Sequence, residues 1–153
     1  MKRSFLIVSR TLAVIFLLAI VACGVIVPRV VEAATAAHDT MEGRMPITEG
    51  GELLITVLAY LMLALAAFAV VMLWRLLGVV ARGEVFTEQS TNILFFVIAA
   101  CFGEAVLFLM IGYYFYIAIG IALAAALLAF SLLVVREVLK EATRIKYEND
   151  FTV

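Results

Sequence analysis

The sequence predicts an all-α integral membrane protein, a four-helix bundle with both termini in the cytoplasm. Hydrophobic residues make up 67% of the 153 residues, charged residues only 15%, and the mean hydropathy is +1.20. A soluble particle of this size has too little polar surface to cover so much apolar material. The charged residues also divide the chain into apolar runs long enough to cross a bilayer, and the basic residues cluster at one set of run ends.

Charged or helix-breaking residues delimit the first two spans. The first span is predicted at about 6–27, because its uncharged apolar run ends before Pro28. The second is predicted at about 53–75, where an interfacial Trp74 precedes Arg75.

An alternative interpretation makes the first span a cleaved lipoprotein signal, since residues 20–23 resemble a lipoprotein cleavage box that ends in Cys23. Cleavage would remove the span and acylate this cysteine. Apolar residues continue past Cys23 through Val27, which favours an uncleaved span. N-terminal analysis of the native protein distinguishes the two interpretations.

The third apolar run must cross the membrane twice. Residues 93–135 carry Glu104 as their sole charge, and one helix of that length would be about twice the hydrocarbon thickness. Gly112 is followed by three tyrosines, which favour the headgroup level. The third span is therefore predicted at about 92–112 and the fourth at about 116–135.

Four spans place both termini on the same side of the membrane. Nine of the eleven Lys and Arg residues lie there, and we call it the basic side. They lie before or near the start of span one (Lys2, Arg3, Arg10), at or after the end of span two (Arg75, Arg82), or after span four (Arg136, Lys140, Arg144, Lys146). This asymmetry predicts that the basic side is the cytoplasmic side of the membrane. The chain is then a single domain, 1–153, with an outer loop at 28–52 and a cytoplasmic loop at 76–91.

Span four is expected to continue into the cytoplasm as an amphipathic helix at 136–148. Apolar residues recur there at helical spacing, forming a stripe of Val135, Val138, Leu139, Ala142 and Ile145. Three spacings permit ion pairs on the other face: Glu137 with Lys140, Glu141 with Arg144, and Arg144 with Glu148. The stripe is expected to cover its own bundle, with Phe86 as a contact; the lipid surface and another protein are the alternatives.

Glu104 is the main candidate for an intramembrane polar site, because a carboxylate near the membrane centre must be protonated, paired or hydrated. Tyr60 and Thr56 lie at similar predicted depth, and no basic residue does. One hypothesis is a neutral Glu104 that donates a hydrogen bond to Tyr60, Thr56 or a backbone carbonyl. The other is a proton-responsive or cation-binding cavity open to the outer side.

The sequence predicts no complete metal site, disulfide, catalytic site or nucleic-acid-binding surface. His38 and Glu42 would share a helix face and could hold a metal, but no third ligand follows, which favours a solvated acidic loop. Cys23 and Cys101 differ in predicted depth by about 10 Å, too far for a disulfide, so both are predicted to be free, buried thiols. No nucleophile with a base and no phosphate-binding loop appears, so we expect no enzymatic activity and no cofactor. A net charge of −1 disfavours direct nucleic-acid binding.

Span four carries small residues at spacing four, Ala118, Ala122 and Ala126. Such a face allows close backbone approach within the bundle, or in a homo-oligomer formed through spans two and four. Neutral alanine filler is the alternative interpretation.

Two segments on the basic side resemble a known family. Residues 83–87, Gly-Glu-Val-Phe-Thr, with Asn92 following, resemble a "G-x-x-F-T…N" segment, and the chain end 148–153 resembles a closing "E-N-D-L-T-V" signature. Both belong to a bacterial four-span membrane family of unknown function, domain of unknown function 2975. The sequence departs from the signature at Phe151, where the family usually has leucine.

The resemblance implies no activity, because the family has no established one. Its members are often encoded beside a small helix-turn-helix regulator, which implies a cytoplasmic DNA-binding partner. Our first hypothesis is a non-enzymatic regulatory membrane protein that binds such a partner through its cytoplasmic loop and tail, here Phe86, Thr87, Glu148, Asn149, Asp150, Phe151 and Thr152. The tail after Glu148 is expected to be extended and available for strand addition. The alternatives are a sensor or transport-type subunit that binds a cation, lipid or small peptide near Glu104, and a structural subunit of a larger complex.

Overall fold

The chain folds into four long α-helices. The computed structural model describes residues 3–40, 46–83 and 86–150. The helices are α1 (Arg3–Asp39), α2 (Glu49–Ala81), α3 (Glu88–Gly112) and α4 (Tyr116–Asp150), and the described residues contain no strand. Each helix is long and apolar enough to cross a membrane. The all-α, four-span prediction is therefore confirmed, and the protein is a multi-pass membrane protein.

Helix α1 does not end at Pro28, where the first span was predicted to end. The proline lies inside the helix, which continues to Asp39. A proline removes one backbone hydrogen bond, but the turns that follow bury Val31, Thr35 and His38 on one helical face, and this packing holds the helix together. The predicted outer loop at 28–52 therefore shortens to a connection at 40–48, of which 41–45 lie outside the described residues.

The predicted cytoplasmic loop at 76–91 is shorter as well. Helix α2 continues to Ala81, and α3 begins at Glu88. The Thr87 hydroxyl oxygen accepts a hydrogen bond from the backbone N–H of Ser90 at 3.4 Å and so caps the start of α3. The connection also contains Gly83, whose φ of +80° favours glycine.

The helices pack in chain order. Contacts join α1 to α2, α2 to α3 and α3 to α4, and within the described residues α1 and α4 do not touch. Helices α2 and α3 are therefore the inner helices, and α3 is the most buried: 33% of the residues in its most apolar stretch are buried, against 6% in α1. The bundle is thus open on one side, and most apolar side chains of its outer helices face the surroundings, which in a membrane are lipid.

The closest helix contact joins α3 and α4. Their junction is only three residues long, so the helices form the short hairpin that the tyrosine-rich turn predicts. A Cβ atom added to Gly112 would lie 2.6 Å from Cγ1 of Ile119. On α4, the small residues Ala118, Ala122 and Ala129 are buried. The structure therefore favours close packing over neutral filler as the role of the small residues in span four.

Candidate functional site

The candidate site lies on the basic side, where α4 continues past the apolar part of its span. We call residues 136–150 the α4 extension; at 1.5 Å per residue it is about 20 Å long. It is attached to the start of α3 by Arg136, whose Nε donates a hydrogen bond to the backbone carbonyl of Thr91 at 3.2 Å. The Arg136 guanidinium also lies 5.1 Å from the centroid of the Phe95 ring, a cation–π distance.

A polar groove of about 600 Å³ lies between the first turn of α3 and the α4 extension. It is lined by Glu88, Thr91 and Asn92 of α3, and by Arg136, Glu137, Lys140, Glu141, Thr143, Arg144 and Tyr147 of α4. Its volume is typical of small-molecule sites, but its lining is charged rather than apolar. Three basic and three acidic side chains face each other here, so the formal charge of the groove is balanced.

Most of the charges in the groove are already paired. Arg144 lies 2.6 Å from Glu141 and 3.8 Å from Glu148, so two of the three predicted ion pairs are confirmed. Glu137 pairs with Arg136 at 3.1 Å. The two pairs of Arg144 are solvent-exposed, so each contributes only a few tenths of a kcal/mol to about 1 kcal/mol. The Arg136 side chain, in contrast, is largely buried.

The apolar stripe of the α4 extension covers the bundle only in part: two of its five residues are half-buried, and the prediction is wrong for the other three, which are exposed. Val138 and Ile145 are 64% and 54% exposed, and Phe86, the expected contact, is 44% exposed. Helix α4 faces α3 with Arg136 and Thr143 instead, and Thr143 is 5% exposed. The physical reason is that Arg136 and Thr143 continue the face of α4 that is buried against α3 at Ala129 and the small residues before it. Positions about half a turn away from this face point outward.

The described residues that were predicted to bind a partner lie at the start of α3, beside the groove, and at the end of the α4 extension. Thr87 caps α3 beside the groove, and Glu148 contacts Arg144. Helix α4 continues through Asn149 to Asp150, so these two residues are helical rather than extended as predicted, because the helical pattern of the extension has no breaker before them. Phe151 and Thr152 lie outside the described residues.

Comparison with known proteins adds the family. Residues 32–153 match a family described as "Protein of unknown function (DUF2975)". The chain belongs to this DUF2975 family. The matched region contains α2, α3 and α4 entirely, together with the last turns of α1, so it includes both segments that flank the groove. No curated protein and no solved structure shows significant similarity to this DUF2975 protein.

The predicted intramembrane site of the DUF2975 protein is not assembled as expected. Oε1 of Glu104 is buried and has no hydrogen-bond partner among the described residues. The Tyr60 hydroxyl donates to the carbonyl of Gly24 on α1 at 3.2 Å, and Thr56 donates to the carbonyl of Glu52 in its own helix at 2.9 Å. The predicted hydrogen bond from Glu104 to either hydroxyl is therefore wrong. Although the three residues were predicted at similar depth, their side chains do not meet, because the Tyr60 hydroxyl donates to α1 and the Thr56 hydroxyl donates within its own helix.

His38 is buried rather than part of a solvated loop. It is 7% exposed, its Nδ1 lies 3.4 Å from Oδ1 of Asp39, and its ring meets the edge of the Phe115 ring. Oδ1 of Asp39 also accepts a hydrogen bond from the backbone N–H of Ile47. Glu42 lies outside the described residues, within which no group of three metal-ligating side chains occurs. The prediction of a solvated loop is thus wrong for His38, because the extended α1 carries it into contact with the α3–α4 turn.

The two cysteines are unpaired, as predicted. Cys23 is exposed on α1 and Cys101 is half-buried on α3, and both are free thiols. The prediction that both thiols are buried is wrong for Cys23, because its position on α1 faces the surroundings rather than another helix.

Proposed function

We propose that this DUF2975 protein is a non-enzymatic regulatory protein of a bacterial inner membrane that holds a cytoplasmic partner at the membrane surface. The observation that carries the proposal is the exposure of Val138 and Ile145, two residues of the apolar stripe on the α4 extension. A helix of 35 residues is about 52 Å long, whereas the hydrocarbon core is about 30 Å thick. The stripe therefore lies beyond the hydrocarbon core, where burial of its apolar side chains against a partner is favourable.

A partner helix or groove fits this stripe. Val138, Ala142 and Ile145 recur at spacings of four and three, the pattern with which one helix inserts its apolar face into a hydrophobic groove. Burial of each large side chain contributes about 1.5 to 3 kcal/mol. The flanking charges, including Glu141 and Arg144, would form the polar rim of such an interface.

The nature of the partner is proposed from two arguments. The distribution of basic residues supports a cytoplasmic location of the α4 extension. The resemblance in the two flanking segments implies a small helix-turn-helix regulator as the partner. Sequestering such a regulator at the membrane would remove it from its DNA sites, and releasing it would reverse the effect. The chain itself needs no nucleic-acid contact for this role.

We expect charge in the stripe to abolish partner binding. In the double variant Val138→Glu and Ile145→Glu, the amount of cross-linked partner recovered with the membrane protein should fall at least tenfold, because two apolar contacts become buried charges. Lys146→Glu is the matched control, since it changes the net charge by the same −2 in the same helix and leaves the stripe intact. Recovery is measured by cross-linking in native membranes followed by mass spectrometry. Equal recovery in the double variant and the control would contradict the proposal.

Deletion of residues 148–153 tests the contribution of the tail separately. We expect the partner to be released, whereas the membrane protein itself should retain its helical content and its elution volume in detergent. If the deletion leaves recovery unchanged while the stripe variant reduces it, the partner binds the stripe alone.

A second candidate function, a cation or small-molecule sensor, is favoured by one observation. Oε1 of Glu104 is buried in α3 without a hydrogen-bond partner among the described residues, and intramembrane acids are usually functional. If Glu104 binds a cation, chloride salts of Na⁺, K⁺, Mg²⁺ or Ca²⁺ should raise the thermal midpoint of the purified protein relative to choline chloride. Glu104→Gln should remove this response and keep the fold. An identical response in both proteins would leave Glu104 with a structural role.

A further inference from the structure

We propose that the groove between α3 and the α4 extension binds the headgroup of a phospholipid that carries a primary ammonium, such as phosphatidylethanolamine. The position of the groove is the first argument. It begins at Asn92 and Arg136, which are the first polar residues beyond the apolar parts of α3 and α4. Lys140 lies one turn further, about 6 Å along the helix. This part of the groove therefore lies at the depth of lipid phosphates, which begin directly outside the hydrocarbon core.

The charges left over in the groove are the second argument. Arg136 is held by Glu137 and by a carbonyl of α3, and Arg144 is held by Glu141. Among the described residues, the remaining lining charges, Lys140 and Glu88, form no side-chain ion pair. One cation and one carboxylate thus remain for a ligand.

A headgroup with one phosphate and one ammonium matches this pair. The ammonium of Lys140 can donate hydrogen bonds to a phosphodiester, and the carboxylate of Glu88 can accept them from a primary ammonium. The side-chain amide of Asn92 and the hydroxyl of Tyr147 supply further polar groups. Phosphatidylcholine offers the same phosphate, but its methylated ammonium donates no hydrogen bond. Phosphatidylglycerol has no cation for Glu88, so the groove should prefer phosphatidylethanolamine over both.

A lipid competition experiment tests this inference. The full chain, purified in mild detergent, is incubated with an equimolar mixture of the three phospholipids with identical acyl chains, and the lipids that it retains are quantified by mass spectrometry. We expect phosphatidylethanolamine to be enriched about tenfold, the effect of one charge-assisted hydrogen bond. Lys140→Gln and Glu88→Gln should each remove the preference. Lys146→Gln, which changes an exposed lysine of the same helix outside the groove, should leave it unchanged.

Four outcomes would overturn the inference. Equal retention of the three lipids, or an equal effect of Lys140→Gln and Lys146→Gln, would mean that the groove does not select the headgroup. Displacement of the lipid by soluble phosphoethanolamine at the same concentration would assign the groove to a soluble ligand. Loss of the cross-linked partner with unchanged lipid retention in the Lys140 and Glu88 variants would assign it to a protein. Unchanged circular dichroism and elution volume of each variant ensure that the folded protein is being compared.

Discussion

Replacing Gly112 by alanine should lower the free energy of unfolding by about 1 to 3 kcal/mol, the usual effect of overpacking a tight contact. A Cβ at this position would lie 2.6 Å from Cγ1 of Ile119 and 3.5 Å from its backbone nitrogen. The Ile119 side chain cannot swing away freely, because Cγ1 is attached directly to its branched Cβ atom. The α3–α4 turn is only three residues long, so the helices cannot separate without rearranging it.

Gly78→Ala is the matched control for this prediction. Gly78 is also a helical glycine, but a Cβ atom there would meet no atom within 4 Å. Since alanine is the better helix former, the stability of this variant should be unchanged or slightly higher. The measurement is equilibrium unfolding in mixed detergent micelles, followed by circular dichroism. A similar loss of stability in both variants would show that the α3–α4 contact is not specifically tight.

Replacing Arg136 by alanine should lower the stability by about 2 kcal/mol, because it removes a hydrogen bond from a charged donor and a cation–π contact. The side chain is only 21% exposed, so water replaces these contacts poorly. Its donation to the carbonyl of Thr91 joins residues 45 positions apart in sequence. The start of the α4 extension should therefore separate from α3, and the groove should open.

Arg144→Ala is the control for Arg136. The Arg144 side chain is 66% exposed and pairs with acidic residues of its own helix, so its removal should change stability by less than about 0.5 kcal/mol. Arg136→Lys tests whether the planar guanidinium itself is needed, because lysine keeps the positive charge and lacks the planar group. Equal stability of the Arg136→Ala and Arg144→Ala variants would contradict the role of Arg136 in attaching the extension.

The number and order of the membrane helices could be predicted because they depend on local composition. Charges interrupt the apolar runs, and a glycine followed by tyrosines divides the long run at Gly112, where α3 ends. An apolar run shows which residues can lie in lipid, but it does not determine where the helix that contains them ends. Helix α1 therefore continues past Pro28, and its outer turns are held by burial of Thr35 and His38, which only the folded chain provides.

In the candidate site too, contacts within one helix were predictable from the sequence, whereas contacts between helices were not. The pairs of Arg144 with Glu141 and Glu148 were predictable, because they lie three and four residues apart on one helix. The groove was not predictable, because it depends on how α4 is rotated against α3, and that rotation follows from the packing of the two helices, including the contact of Arg136 with Thr91. The same limitation explains the error about Tyr60. Depth along a helix can be counted from the sequence, but the neighbour that a side chain faces cannot.

The most direct test of our account is the membrane topology, because the site and both proposals require an even number of crossings. Single cysteines are introduced at Lys2, Glu32 and Lys146 in a chain that carries Cys23→Ala and Cys101→Ala, and a membrane-impermeant maleimide is applied to intact cells. We predict labelling at position 32 only, with positions 2 and 146 reacting after permeabilisation. Labelling of position 146 in intact cells would place the α4 extension outside the cytoplasm and contradict the account.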